Sequence, residues 1–175
     1  SIKISKLING HISNEMPGIL LPEDGEVSWT YEVTNDGNVD LLDVTVVDDN
    51  GTSGVTDDDV TVCVIPVLGP GLTDSTSCEM YGEVILGQYG NTAEVQAIIP
   101  QGLGDVRDED TSYYFGIDAS IQLRKFTNGH EAVSAPGVEV LMGEPVTWTY
   151  EVINDGNVDL TGVKVVDDWG TPEDS

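Results

Sequence analysis

An all-β sandwich repeated in tandem is the fold this sequence predicts. Three observations predict it: short stretches in which apolar and polar residues alternate with period two, turn-forming residues between those stretches, and one long internal repeat. No segment carries a sustained helical period.

The alternation is clearest in Val27, Trp29, Tyr31 and Val33, set between Ser28, Thr30, Glu32 and Thr34, a pattern that puts the large side chains on one face of a strand. Val44 and Val46 repeat it, as do Ala93, Val95 and Ala97. Strands are expected near residues 1–8, 26–34, 41–48, 60–65, 76–85, 91–99 and 105–115, with Gly, Pro, Asn and Asp marking the turns. Seven short strands of this kind make an immunoglobulin-like β-sandwich the favoured architecture.

The repeat is explicit. Trp29-Thr30-Tyr31-Glu32-Val33 returns as Trp148-Thr149-Tyr150-Glu151-Val152, an offset of 119 (148 − 29). Without a gap, the same offset maps Asn9-Gly10-His11 onto Asn128-Gly129-His130, and Pro17-Gly18 onto Pro136-Gly137. It also carries residues 35–41 onto 154–160 and Val46-Val47-Asp48-Asp49 onto residues 165–168. A period this long is a whole domain, so the copies are beads on a string and not the stacked turns of a solenoid. Residues 1–117 are expected to form a complete sandwich and residues 118–175 the first three strands of a second, incomplete copy, with a linker around Gly116-Ile117-Asp118-Ala119. Both Trp29 and Trp148 are expected in the core. Three strands alone cannot bury both faces of a sheet, so the second copy is expected to be completed by a continuing chain or by a neighbouring one.

Composition bounds the partners. Thirty-two Asp and Glu against six Lys and Arg give a formal charge of −26. Phosphate backbones and anionic lipid surfaces would repel such a chain, which makes nucleic acid a poor partner. The same charge suits a saline setting or one rich in divalent cations. No stretch approaches the roughly eighteen apolar residues of a membrane span, and no basic segment followed by an apolar one opens the chain. Ser1 leads straight into the strand-like Ile2-Lys3-Ile4, the pattern expected of an excised segment.

Cys63 and Cys78 lie in strand-like runs on either side of a turn-rich stretch containing Leu68-Gly69-Pro70-Gly71. A hairpin disulfide there would close a loop of about fifteen residues, contribute roughly 3 kcal/mol and point to an oxidising compartment. Spacing alone does not separate this bridge from a pair of free thiols.

These residues resemble the immunoglobulin-like repeats of unknown function found in bacterial and archaeal surface proteins and adhesins. The resemblance rests on Asn128-Gly129-His130-Glu131-Ala132, Pro136-Gly137, residues 146–152, residues 154–160 and the Val-x-Val-x-Asp-Asp strand end. The cysteine pair flanking a Gly-Pro-Gly turn, Gly90-Asn91-Thr92-Ala93 and the closing residues 108–116 add to it, and nearly all of the first copy is covered. Asp36 and Asp155 stand where the family more often has Thr, which adds charge. The resemblance implies scaffolding at the cell surface, as a stalk or spacer unit, and no reaction. Neighbouring repeats or identical subunits are the partners it implies.

Candidate chemistry is sparse. Carboxylates cluster at Asp48-Asp49, Asp57-Asp58-Asp59 and residues 105–110. Asp48, Asp49, Asp57 and Asp59 could supply several of the six to eight oxygens that calcium takes, and a bound ion there would stiffen the joint between copies; a solvated acidic loop is the plainer alternative. Residues 36–40 open like a calcium loop, but Leu41 stands where the loop glycine should be, so a hairpin turn with positive φ at Asn and Gly explains them better. His11 and His130 share a repeat position, yet each lacks a second ligand at metal spacing. Asn50-Gly51-Thr52 fits a glycosylation sequon, which the second copy replaces with Trp169. Gly-x-Ser-x-Gly, His-Glu-x-x-His and phosphate-loop motifs are all missing, so no catalytic or cofactor-binding residue is expected. The rival to a scaffold is an adhesin that takes glycan or a surface protein on its loops, for which Tyr81, Tyr89 and Trp169 are the available aromatics.

Overall fold

The structure, a computed structural model, describes residues 1–168. It is all-β, with thirteen strands and no α-helix among the described residues. The chain divides into two compact units, Ser1–Ile117 and Asp118–Ser175.

In the first unit the strands are β1 (Lys3–Ile8), β2 (His11–Ile12), β3 (Ile19–Pro22), β4 (Glu26–Thr34), β5 (Leu41–Asp48), β6 (Val60–Leu68), β7 (Thr73–Asp74), β8 (Glu79–Glu83), β9 (Gly87–Ile98) and β10 (Asp105–Ile117). One sheet runs β2-β1-β4, with β7 and β8 sharing the far edge of β4. The other runs β3-β10-β9-β5-β6. The two pack face to face as a sandwich, because each long strand alternates buried and exposed residues. Ile4, Ile8, Val27, Trp29, Tyr31 and Val33 from the first sheet meet Val44, Val46, Ala93, Val95, Ala97 and Tyr114 from the second. Tyr89 and Tyr114 stack at 4.8 Å between ring centroids, and Trp29 lies 6.0 Å from Tyr89.

Consecutive strands β4 and β5 belong to opposite sheets, so residues 35–40 form a crossover and not the hairpin turn the sequence suggests. None of these residues has positive φ. Asn35 does the turning instead: its buried amide donates to the carbonyls of Val39 and Leu68, both at 2.8 Å, and its Oδ1 accepts the Gly37 N–H at 3.0 Å. The disulfide also departs from expectation. Cys63 and Cys78 are bonded, but Cys63 sits on β6 and Cys78 immediately precedes β8, so the bridge ties the two sheets together across the core and does not close a hairpin.

Strand β3 is a further difference. Its Pro17-Gly18 approach and its terminal Pro22 read as loop, yet it pairs in parallel with the end of β10, Tyr114 opposite Ile19 through Ile117 opposite Pro22. Gly18 makes the approach feasible: at φ +82° a Cβ there would lie within 2.0 Å of the Tyr113 carbonyl oxygen.

The second unit holds β11 (Ile121–Thr127), β12 (His130–Glu131) and β13 (Trp148–Asn154) in one sheet of order β12-β11-β13. Its register repeats that of the first unit. Ile8 faces Trp29 across β1 and β4, and Thr127 faces Trp148 across β11 and β13, the same pairing shifted by 119. Residues 160–167, expected as a third strand, form none. The reason is topological: the counterpart strand β5 is hydrogen-bonded to β6 and β9 of the other sheet, not to β4, and strands corresponding to those partners would fall beyond residue 175. For the same reason Trp148 is not a core residue. It is 46% exposed where Trp29 is 4% exposed, because the second sheet that covers Trp29 has no counterpart among the described residues.

Candidate functional site

The centre of the first unit holds a polar constellation inside an apolar core. On β1 the inward positions are Ile4, Lys6 and Ile8, in phase with the buried Ile2 just before it, so strand alternation alone drives Lys6 into the interior. Its side chain is 0% exposed and its Nζ lies 2.5 Å from Asp48 Oδ2, also at 0%. The Tyr31 hydroxyl donates to the same oxygen at 2.6 Å. Asp48 Oδ1 accepts the Asn91 side-chain amide at 2.8 Å and the Asn50 N–H at 3.0 Å. Lys6 Nζ also stands 5.5 Å from the centroid of the Tyr31 ring. Amine, carboxylate, phenol and carboxamide thus come from β1, β5, β4 and β9, two strands of each sheet.

Burial dominates the electrostatics. It pushes the Lys6 ammonium below its ordinary pKa, against the opposing pull of Asp48 and, more weakly, Asp49 and Asp110. Burial also pushes the Tyr31 phenol well up, and the adjacent Asp48 carboxylate adds to that shift. One atom of the group is unsatisfied: Asn91 Oδ1 is buried and has no hydrogen-bond partner.

The second unit repeats the pair. Lys125 Nζ lies 2.6 Å from Asp167 Oδ2, and the Tyr150 hydroxyl bonds the same carboxylate. These residues stand 119 positions after Lys6, Asp48 and Tyr31. Here Lys125 is half-exposed.

The four aspartates expected to share a cation do not converge. Asp48 faces the core with its oxygens taken by Lys6, Tyr31, Asn91 and Asn50, which removes it from any calcium cage with the others. Asp49 and Asp59 line one open groove with Glu94 and Glu109, but Asp49 Oδ1 already accepts the N–H groups of Gly51 and Thr92. Asp57 is exposed, and its neighbour Asp58 accepts the Thr52 hydroxyl. Among the described residues no three His, Cys, Asp or Glu side chains group closely enough to hold a metal ion. His11 and His130 lie on the short exposed strands β2 and β12.

Of the aromatics expected on loop tips, Tyr81 is 71% exposed on β8, its hydroxyl bonded to Glu79. Tyr89 packs inward on Trp29 and Tyr114, and Trp169 lies outside the described residues. Asn50 of the sequon is exposed and carries a φ of +50°.

Sequence reasoning passed over Lys6, Tyr31 as a hydrogen-bond donor, and Asn91. The signal was present: a lysine at an inward position among isoleucines, repeated with its aspartate and tyrosine at the same offset. Comparison of the chain with protein-family models, with curated proteins and with solved structures finds no match.

Proposed function

We propose that this chain is a non-catalytic structural repeat of an extracellular surface stalk or filament, built from immunoglobulin-like sandwiches in series. One observation carries the reading: a sequence period of 119 residues coincides with a repeated strand register, Ile8 opposite Trp29 and Thr127 opposite Trp148. Whole-domain repetition of this kind suits a protein whose task is length and stiffness. The sheet-to-sheet disulfide supports an oxidising, extracytoplasmic location, and the charge of −26 supports solubility at high exposure. Immunogold imaging of the native source with antibodies against residues 1–117 tests it. Label on surface projections is the expected result; label confined to the cell interior removes the proposal.

A second reading, assembly with identical subunits by strand completion, is favoured by the exposed apolar positions Leu123, Trp148, Val152, Val163 and Val165. Their counterparts at the 119 offset, Ile4, Trp29, Val33, Val44 and Val46, are all buried, most of them against a second sheet. The cover that fits Leu123, Trp148 and Val152 is therefore a sheet like the one formed by β3, β10, β9, β5 and β6, to which Val44 and Val46 belong. Sedimentation of the 175-residue chain over a wide concentration range distinguishes the two: a strictly monomeric chain removes self-completion and leaves the scaffold reading standing.

A further inference from the structure

The Lys6, Asp48 and Asn91 constellation holds the three groups that an intramolecular amide-forming reaction needs, already oriented and shielded from water. Lys6 Nζ sits on Asp48 Oδ2 at 2.5 Å and Asn91 Nδ2 on Asp48 Oδ1 at 2.8 Å, so one carboxylate bridges a nucleophile and a leaving group. We propose that Lys6 and Asn91 become joined by an isopeptide bond between Nζ and Cγ, with Asp48 as the proton relay. This goes beyond the scaffold reading and does not depend on it.

The step balances without any co-reactant. Asp48 takes a proton from the Lys6 ammonium, and the neutral amine attacks Cγ of Asn91. The protonated Asp48 then hands that proton to Nδ2, the Cγ–Nδ2 bond breaks, and ammonia departs as the Nζ–Cγ bond becomes an amide. The second proton shed by Nζ leaves with the ammonia as ammonium. Net, one ammonium and one carboxamide become one secondary amide and one ammonium.

Each feature of the pocket favours this course. The dry surroundings favour the uncharged amine and exclude the water that would otherwise compete for Cγ. Rigid strands hold the reacting groups together, which removes the entropy cost of encounter. Four donors, from Lys6, Tyr31, Asn91 and the Asn50 backbone, converge on Asp48, which sets its carboxylate between the amine and the carboxamide as the acid–base group. Asn91, by contrast, is a carboxamide whose nitrogen already faces that group and whose Oδ1 has no partner to lose. The product would tie β1 in one sheet to β9 in the other, a second covalent link between the sheets beside Cys63–Cys78.

The test is the intact mass of the 175-residue chain, reduced and denatured. A deficit of about 17 Da against the sequence mass is expected, the mass of one ammonia, with a branched peptide joining the Lys6 and Asn91 segments on digestion. The full sequence mass overturns the proposal. A deficit of about 18 Da mapping to Lys6 and Asp48 also overturns it, since water would then be the leaving group, as does a deficit without a branched peptide. The second unit serves as an internal control: Lys125 and Asp167 repeat the amine and the carboxylate, but the counterpart of Asn91 would fall beyond residue 175, so a link between Lys125 and Asp167 would count against the assignment. Asn91→Ala and Lys6→Arg are expected to restore the full mass. The wild-type measurement decides the matter by itself should either variant fail to fold.

Discussion

Replacing Asp48 with alanine isolates the energetic weight of the buried centre. Before any Lys6–Asn91 link forms, the carboxylate is the counter-ion of Lys6 and the acceptor for Tyr31 and Asn91, all at 0 to 1% exposure. Removing it leaves an ammonium buried without a partner and strands two neutral donors. Breaking a buried pair from one side costs about 3–5 kcal/mol, because the remaining charge keeps its desolvation penalty and loses its attraction. For a unit of this size that loss corresponds to a fall in Tm of roughly 15–25 °C. Removing the charge from both sides should behave differently. Lys6→Met combined with Asp48→Leu fills the same space with apolar atoms and is expected to recover at least about 2 kcal/mol of the loss, although Tyr31 and Asn91 still lack their acceptor. Urea denaturation of both variants, followed by Trp29 fluorescence, supplies the comparison. Neither variant can form the Lys6–Asn91 link, so the difference between them reports the cost of the unpaired Lys6 ammonium. A cost under about 1 kcal/mol for Asp48→Ala, or a double variant no more stable than the single one, would refute the reasoning.

Three further outcomes are expected. Replacing both cysteines with serine should lower stability by roughly 3 kcal/mol, read from the urea midpoint, since the bridge closes a loop of about fifteen residues. Gly18→Ala should cost more than about 1 kcal/mol in the same assay, because φ is +82° and the new Cβ would overlap the Tyr113 carbonyl. The pH dependence follows from the buried phenols: Tyr31, Tyr89 and Tyr114 all have raised pKa values, chiefly through burial. Below the unfolded-state pKa of about 10 that contribution to stability is fully present; above it the unfolded chain binds fewer protons than the folded one, so stability falls as pH rises. Thermal melts between about pH 8 and 11 should show Tm declining past about pH 10, and a flat profile there would contradict the burial of these rings.

Much of the sandwich was legible because burial in a strand leaves a period of two. Val27, Trp29, Tyr31 and Val33 alternate with polar residues in the sequence and alternate inward in the fold. What alternation does not encode is which sheet a strand joins. The crossover at residues 35–40 looks like a tight turn in sequence, and the distinction lies in Asn35 reaching the Leu68 carbonyl, a contact between residues far apart in the chain. The cysteine pair misled for the same reason, since nearness in sequence suggested a hairpin where the chain passes between sheets. Strand β3 was hidden by Pro17, Gly18 and Pro22, and its ladder comes from parallel pairing with β10, a long-range contact. The buried centre was half-visible: repetition marked Asp48, but acid enrichment along the whole chain drew attention to calcium, whereas the informative residue was the rare one, Lys6.

Two carboxylates set along β10 complete the account of how this chain uses its acids. Asp108 accepts the backbone N–H of Ile4 at 2.9 Å, and Asp110 that of Lys6 at 2.7 Å. Both amides lie on the side of β1 that faces away from β4, where a bare row of donors would invite a foreign strand. Side chains therefore occupy two donors of a margin that no ladder closes, which leaves a passing polypeptide fewer hydrogen bonds to capture there. The tally of acidic residues accordingly includes carboxylates that serve as mortar between the layers.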